Sequence, residues 1–178
     1  CFNKIRVNNF VIGKEDYLFS ESYIFSAFGD DLLPKQKVDE LMQKARVLQD
    51  TLKRKGIDLL LVFAPGKGAY CKEFVEDKYV HRVKQTNHDL FVNACQRLGV
   101  NQLDLYTWFD KLKPTTPYPL FPRFGHHWSY YGECLAVDTI IGHIEHLHHT
   151  DLPDMVWSQI DVVDTARSRD ADVLKSMN

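Results

Sequence analysis

The nine residues Ile57-Asp58-Leu59-Leu60-Leu61-Val62-Phe63-Ala64-Pro65 constrain the fold more than any other stretch of the chain. The run is far shorter than the roughly 20 residues a membrane helix needs. It reads instead as a strand covered on both faces, as found at the centre of a parallel sheet. The segment before it has a different period. Val38, Leu41, Met42, Ala45, Leu48 and Leu52 recur at helical spacing and predict a helix with one apolar face laid on a sheet. Pro34 suits its first turn, Lys53, Arg54 and Lys55 its negative C-terminal end, and Gly56 a left-handed cap. Together with Lys35, Lys37 and Lys44, these basic residues form its solvated face. A helix feeding a buried strand is the opening of a layered α/β domain.

The same alternation continues along the chain. Asn9–Gly13 and the residues up to Phe19 predict two short strands around a polar turn. His88–Leu98 predicts a helix closed by Gly99, Asn101–Tyr106 a strand, and Trp108–Leu112 a short helix. Prolines 114, 117, 119 and 122 make 113–122 an extended loop. Ser129–His148 predicts a long helix, with Leu135, Ala136, Ile140 and Ile144 among its apolar positions, and Val156–Val163 a last strand. A chain of 178 residues fits one domain, 1–178.

Composition excludes several classes. Hydrophobic residues make up 44% and charged residues 26%, enough to fill a core. A net charge of -2, with Lys and Arg dispersed, offers no basic stripe for nucleic acid. Cys1, Cys71, Cys95 and Cys134 match neither a zinc motif nor a CxxC pair and read as small buried hydrophobes. Cys1 also fits the first residue of a mature lipoprotein or a chain boundary.

Chemistry concentrates at Phe124-Gly125-His126-His127-Trp128-Ser129-Tyr130-Tyr131-Gly132, where the proline-rich loop meets the long helix. Loops at strand ends are where α/β folds place their sites. Histidine titrates near neutrality and is the usual general base. Two readings stand side by side: His126 and His127 as acid–base residues, or as a polar cap over a packed loop. His143, His146, His148 and His149 form a second cluster; His143 and His146 share a helix face, but a zinc site needs three or four convergent ligands, so no metal is assigned. Lys67, in Pro65-Gly66-Lys67-Gly68 after the apolar run, lies either in a structural turn or at a site edge. Tyr118, Trp128, Tyr130 and Tyr131 either stack on sugar rings or pack the loop on the helix.

The order of these features resembles the SGNH-hydrolase-like domain of the alginate O-acetyltransferase family (AlgX and AlgJ-like, with the related DHHW proteins). Gly13-Lys14-Glu15-Asp16-Tyr17-Leu18-Phe19 is similar to the family's gly-lys-x-gly-trp-leu-phe element, and Ala64-Pro65-Gly66-Lys67 to its Pro-x-Lys turn. Leu103-Asp104-Leu105 is similar to the strand before its proline-containing loop. Gly125-His126-His127-Trp128, with Tyr131-Gly132, resembles its Asp-x-His-Trp motif and following glycine. The resemblance implies a three-layer SGNH/flavodoxin-like parallel sheet with flanking helices. It also implies an O-acetyltransferase or acetylesterase working by a Ser-His mechanism on exported or cell-envelope polysaccharide. His127 takes the place of the catalytic histidine, with His126 beside it and Lys67, Trp128 and Tyr131 on the substrate side. The implied partners are a polysaccharide acceptor, an acetyl donor and a membrane acyl-transfer protein, with no cofactor, in a periplasmic or otherwise extracytoplasmic setting.

Two departures qualify this picture. Gly125 stands where the family has the aspartate that orients the imidazole, so a backbone carbonyl or another carboxylate must do that work, or the site runs as a dyad. No Gly-Asp-Ser occurs: Gly29-Asp30 is followed by Asp31, and none of serines 20, 22, 26, 129, 158, 168 and 176 sits in a nucleophile turn after a buried strand. The serine is therefore expected beyond residue 178, the domain is expected to be incomplete at its C-terminus, and its uncovered apolar edge is expected to self-associate. The alternative is a non-catalytic carbohydrate-binding or assembly module.

Overall fold

The computed structural model describes residues 6–7, 9–163, 165–166 and 168–176. Cys1 lies outside them. Strands β1 (Arg6–Val7), β2 (Phe10–Ile12) and β3 (Leu18–Ser20) form an antiparallel sheet. The β2–β3 turn is closed by Gly13 N–H donating to the Tyr17 carbonyl at 2.7 Å. Glu15 and Asp16 in this turn take left-handed φ of 53° and 60°. Asp16 fills the place of the family element's second glycine, and a left-handed backbone is what glycine adopts without strain.

Helices α1 (Glu21–Phe28) and α2 (Lys35–Lys53) follow. The end of α2 is a Schellman motif: Gly56 N–H donates to Lys53 O at 3.0 Å and Ile57 N–H to Leu52 O at 3.1 Å, with Gly56 at φ 72°. Strand β4 (Leu61–Phe63), helix α3 (Lys67–Tyr70) and helix α4 (Asn87–Leu98) come next. Thr86 starts α4 with a full capping box, its side chain accepting from Asp89 N while the Asp89 carboxylate accepts from Thr86 N. Strand β5 (Gln102–Asp104) pairs parallel with β4, Val62 opposite Leu103. Helix α5 (Leu105–Leu112), helix α6 (Tyr130–His148) and helix α7 (Asp172–Ser176) follow.

The β4/β5 pair divides two cores. On one side Val38 and Met42 of α2 pack with Leu90, Ala94 and Cys95 of α4, and Leu61 and Phe63 of β4 join them. On the other side Leu103 joins a larger core that includes Val11, Phe19, Ile24, Tyr70, Phe109, Leu120 and Phe121. Helices thus cover both sides of a parallel pair, the α/β layering expected from the alternation.

Details differ from the sequence expectation. The apolar run at 57–65 is strand only over Leu61–Phe63, and Ile57 is 51% exposed and Val62 38% exposed. Its apolarity is that of a central strand, yet among the described residues β5 is its one partner. The α2 face packs on α4 as well as on β4, and Leu48, expected on that face, is 50% exposed. Helix α5 begins at Leu105 rather than Trp108, because Asp104 caps it by accepting from Thr107 N. Val156–Val163 forms no strand: it finds no partner among the described residues, and Val156 and Val162 are 84% and 68% exposed. Cys71 and Cys95 are buried free thiols, as small hydrophobes in a core should be.

Candidate functional site

The proline-rich loop is held against the core at several points. Leu120 and Phe121 are buried, Leu18 N–H donates to Arg123 O at 2.9 Å, and Ser129 N–H to Leu120 O at 2.9 Å. Ser129 caps α6 by accepting from Gly132 N at 3.0 Å while its hydroxyl donates to Pro119 O at 2.7 Å. Lys113, at the start of the loop, donates to the Tyr70 carbonyl and pairs with Glu73.

Lys67 is the central fastener. Its side chain is 0% exposed, and Nζ donates to Arg123 O at 2.8 Å and Gly125 O at 2.7 Å. The rings of Tyr17 and Phe19 each lie 5.3 Å from Nζ and favour its charge. Burial nevertheless pulls the ammonium down to about 7, with Asp172 opposing that shift. Lys67 therefore sits beneath the histidine loop and fixes its backbone.

Above it opens a cleft of about 550 Å³. His126, His127 and Trp128 line it together with Tyr23, Ser26 and His88. Trp128 leans on Phe109 with ring centroids 4.9 Å apart and donates its indole N–H to Pro65 O at 3.2 Å, tying the loop to the end of β4. Tyr131 does not line this cleft. It packs on Tyr118 edge to face and lines a separate groove with Tyr130 and Trp157.

Asp172, the first residue of α7, was not singled out from the sequence. Its Oδ1 accepts from His126 N–H at 3.1 Å. Its Oδ2 lies 3.3 Å from His127 Nε2 and 3.7 Å from His126 Nε2, and the two Nε2 atoms are 3.0 Å apart. A carboxylate thus stands beside the imidazoles although Gly125 occupies the motif's aspartate position. No local signal marks Asp172, which lies 45 residues from His127 in the sequence. Burial lowers the His126 pKa, so that ring favours its neutral form, with Asp172 opposing the shift. His126 Nδ1 is buried without a partner among the described residues.

A second histidine–carboxylate pair lies on the same cleft. His88 Nε2 is 2.9 Å from Asp104 Oδ1, and the His88 ring stacks on Tyr106 at 4.1 Å. Burial raises the Asp104 pKa, but the bonds from Thr107 and His88 outweigh it, and the carboxyl ends below its ordinary range. The Asp104–Thr107 spacing could have disclosed the cap; nothing in the sequence discloses the pairing with His88. The four histidines of the α6 C-terminus do not converge on a shared point among the described residues; His148 lies 3.4 Å from Asp58 and His149 closes the helix at φ 50°. No helix among the described residues is long and apolar enough to cross a membrane.

Two solved structures share this fold. The O-acetyltransferase domain of Pseudomonas putida AlgJ superposes with a TM-score of 0.58 at 20% identity, covering 82% of this chain and 50% of that one. Pseudomonas aeruginosa AlgX superposes with a TM-score of 0.51 at 21% identity, covering 76% of this chain and 32% of that one. The chain thus spans half the length of the first and about a third of the second. No curated protein matches the sequence. Residues 10–171 match the family described as SGNH hydrolase-like domain, acetyltransferase AlgX. On that match, which takes in both cores, the cleft and the histidine loop, the chain belongs to the AlgX-type SGNH hydrolase-like acetyltransferase domains.

Proposed function

We propose that this domain serves O-acetyl transfer to a polysaccharide hydroxyl, with His127 as the general base. The observation that carries the reading is Asp172 Oδ2 at 3.3 Å from His127 Nε2, on a histidine that directly precedes Trp128 in a domain of this family. A carboxylate accepting the Nε2 proton fixes the tautomer and leaves the Nδ1 lone pair free. That nitrogen takes the proton of a serine hydroxyl as the hydroxyl attacks the acetyl carbonyl. The histidinium then returns the proton to the departing group, and the acetyl-serine passes its acetyl to a sugar hydroxyl, or to water in the hydrolytic side reaction. Asp172 stabilises the imidazolium that forms in each half. His126 stands at the edge of the same cleft, Trp128 offers its ring there to a sugar, Tyr131 faces the separate groove, and Lys67 supports the loop that carries the base.

The serine is assigned to sequence outside this chain. Ser26 lines the cleft, but among the described residues it shares no hydrogen bond with either imidazole. The family setting also favours an extracytoplasmic location, an acetyl donor delivered by a membrane acyl-transfer protein, and an alginate-type acceptor. A second reading, a non-catalytic carbohydrate-binding or assembly module, draws on Gly125 and on the missing serine–histidine contact.

The test measures acetyl transfer from 4-nitrophenyl acetate to alginate-type oligosaccharides by the encoded protein that contains this chain. His127→Ala is expected to lower the rate by about a thousandfold or more, and Asp172→Asn by a smaller factor. Equal rates in wild type and His127→Ala reject the assignment. Oligosaccharide binding with no turnover in the wild type selects the binding module. Loss of activity in Ser26→Ala would put the nucleophile inside this chain.

A further inference from the structure

We propose that His126, His127 and Asp172 together form a binding site for a divalent cation of the zinc class. The three donors are His126 Nε2, His127 Nε2 and Asp172 Oδ2, separated by 3.0, 3.3 and 3.7 Å. Zinc bonds to imidazole nitrogen and carboxylate oxygen of about 2.0–2.2 Å set tetrahedral donor separations of about 3.3–3.5 Å. The observed triangle brackets that edge length. The three side chains therefore need only small rotations to place their lone pairs on one point.

Proton accounting favours an occupant. All three facing atoms are acceptors unless a ring nitrogen is protonated. If His126 Nε2–H points at His127, the His127 lone pair is left facing the carboxylate. If His127 Nε2–H serves both neighbours, the His126 proton sits at Nδ1, which is buried without a partner among the described residues. The first arrangement sets acceptor against acceptor inside the donor triangle, a conflict that a cation removes; the second leaves the buried Nδ1–H unpaired, as a bound cation also does. A divalent cation turns all three facing lone pairs into bonds and neutralises the carboxylate. It also places both ring protons at Nδ1. Solvent reaches the His127 side chain, which is 49% exposed. His126 Nδ1 stays unpaired, and a missing outer-shell partner of that kind weakens binding by about 10–100-fold. The site is thus expected to bind zinc reversibly rather than as a permanent structural ion.

The frame is already set. Lys67 holds the carbonyls of Arg123 and Gly125, and Asp172 Oδ1 accepts from His126 N–H. Two histidines and one carboxylate leave a fourth position open toward the cleft, where water or a substrate oxygen can bind. The inference stands on these donors and not on the acyl-transfer reading. If both hold, zinc bound at His127 Nε2 keeps the ring proton on Nδ1, the nitrogen that would act as base, and inhibits transfer.

The experiment titrates zinc into the purified encoded protein that contains this chain by calorimetry and follows cobalt substitution by visible absorption. One saturable site per chain is expected, with affinity at least tenfold weaker in His126→Ala, His127→Ala and Asp172→Asn. The double variant His143→Ala/His146→Ala is expected to bind as the wild type does. Cobalt is expected to give the intense absorption of four-coordinate geometry, lowered in Asp172→Asn, whose near-identical shape preserves the fold; circular dichroism checks each variant. Absence of saturable binding overturns the proposal, as does binding lost only in the His143/His146 variant, or cobalt absorption of the weak hydrated type. None of these readouts depends on catalysis, so failure of the acetyl-transfer assay leaves the result intact.

Discussion

Two stretches of this chain lack regular secondary structure and differ in almost everything else. Residues 113–129 carry four prolines and the histidine motif, and they are held at both ends and in the middle. Lys113 bonds to Tyr70, Lys67 to two carbonyls, Leu18 to Arg123 and Ser129 to Pro119, while Leu120 and Phe121 are buried. Residues 151–163 are rich in Val, Ile and Trp, yet Val156 is 84% and Val162 68% exposed, and among the described residues the Gln159 side chain bonds to nearby Asp161. Apolar content does not order an irregular segment. Specific partners for its backbone polar groups do, because each buried carbonyl left unpaired costs about 1–3 kcal/mol.

The largest stability effect should come from Lys67→Met. It strips the carbonyls of Arg123 and Gly125 of their buried donor with an unbranched side chain one atom shorter, and about 2–4 kcal/mol should be lost. A urea titration reads this directly, and a midpoint within error of wild type would break the comparison. The same residue gives a pH test. Its folded pKa of about 7 lies below its ordinary 10.5, so between these values the unfolded chain holds more protons than the folded one. Stability should therefore rise as pH increases from 7 toward 9 and be lowest below 7, where the folded state carries the full cost of a buried ammonium. The groups around Nζ are Asp172, Cys71, Tyr17 and Phe19. Burial pushes the Cys71 thiol up to about 12 from 9.0, which opposes the trend only above pH 9. Lys67→Met should flatten the slope in urea titrations at pH 7 and 8.5.

A middle-sized effect is expected from Ser129→Ala, which removes the α6 cap and the bond to Pro119; about 1–2 kcal/mol should be lost by thermal unfolding. Val156→Ser and Val162→Ser should change stability by less than about 0.5 kcal/mol, as exposed sites do. Hydrogen exchange would sharpen the contrast, with slow amides at Leu18 and Ser129 and fast ones across 154–163. Slow exchange in that second stretch would show that it is covered after all.

Much of the local structure was legible in the sequence. Gly56 and Gly99 marked helix ends, the period of Val38 to Leu52 marked α2, and the four prolines marked the loop. Each rests on the conformational range of one residue or on one repeat, so no distant contact is needed. The left-handed Asp16 shows the same local rule with a less suited residue, since a short polar side chain tolerates that region. Val156–Val163 shows where the rule stops: strand propensity is met only if another strand is present to pair.

The sequence by itself determined helices α2, α4, α5 and α6, the strand segments that become β4 and β5, and the position of the histidine loop between the prolines and α6; it gave no sign of α1, α3 or α7. Those features follow from periodicity and backbone restriction, which act over a few residues. Only the tertiary structure decided that Lys67 lies under the loop, that Tyr131 faces a different groove, that His88 pairs with Asp104, and that Asp172 stands beside His127. Those partners are 16 to 58 residues apart, and what joins them is a buried charge or a carbonyl needing a hydrogen bond wherever the fold brings one within reach.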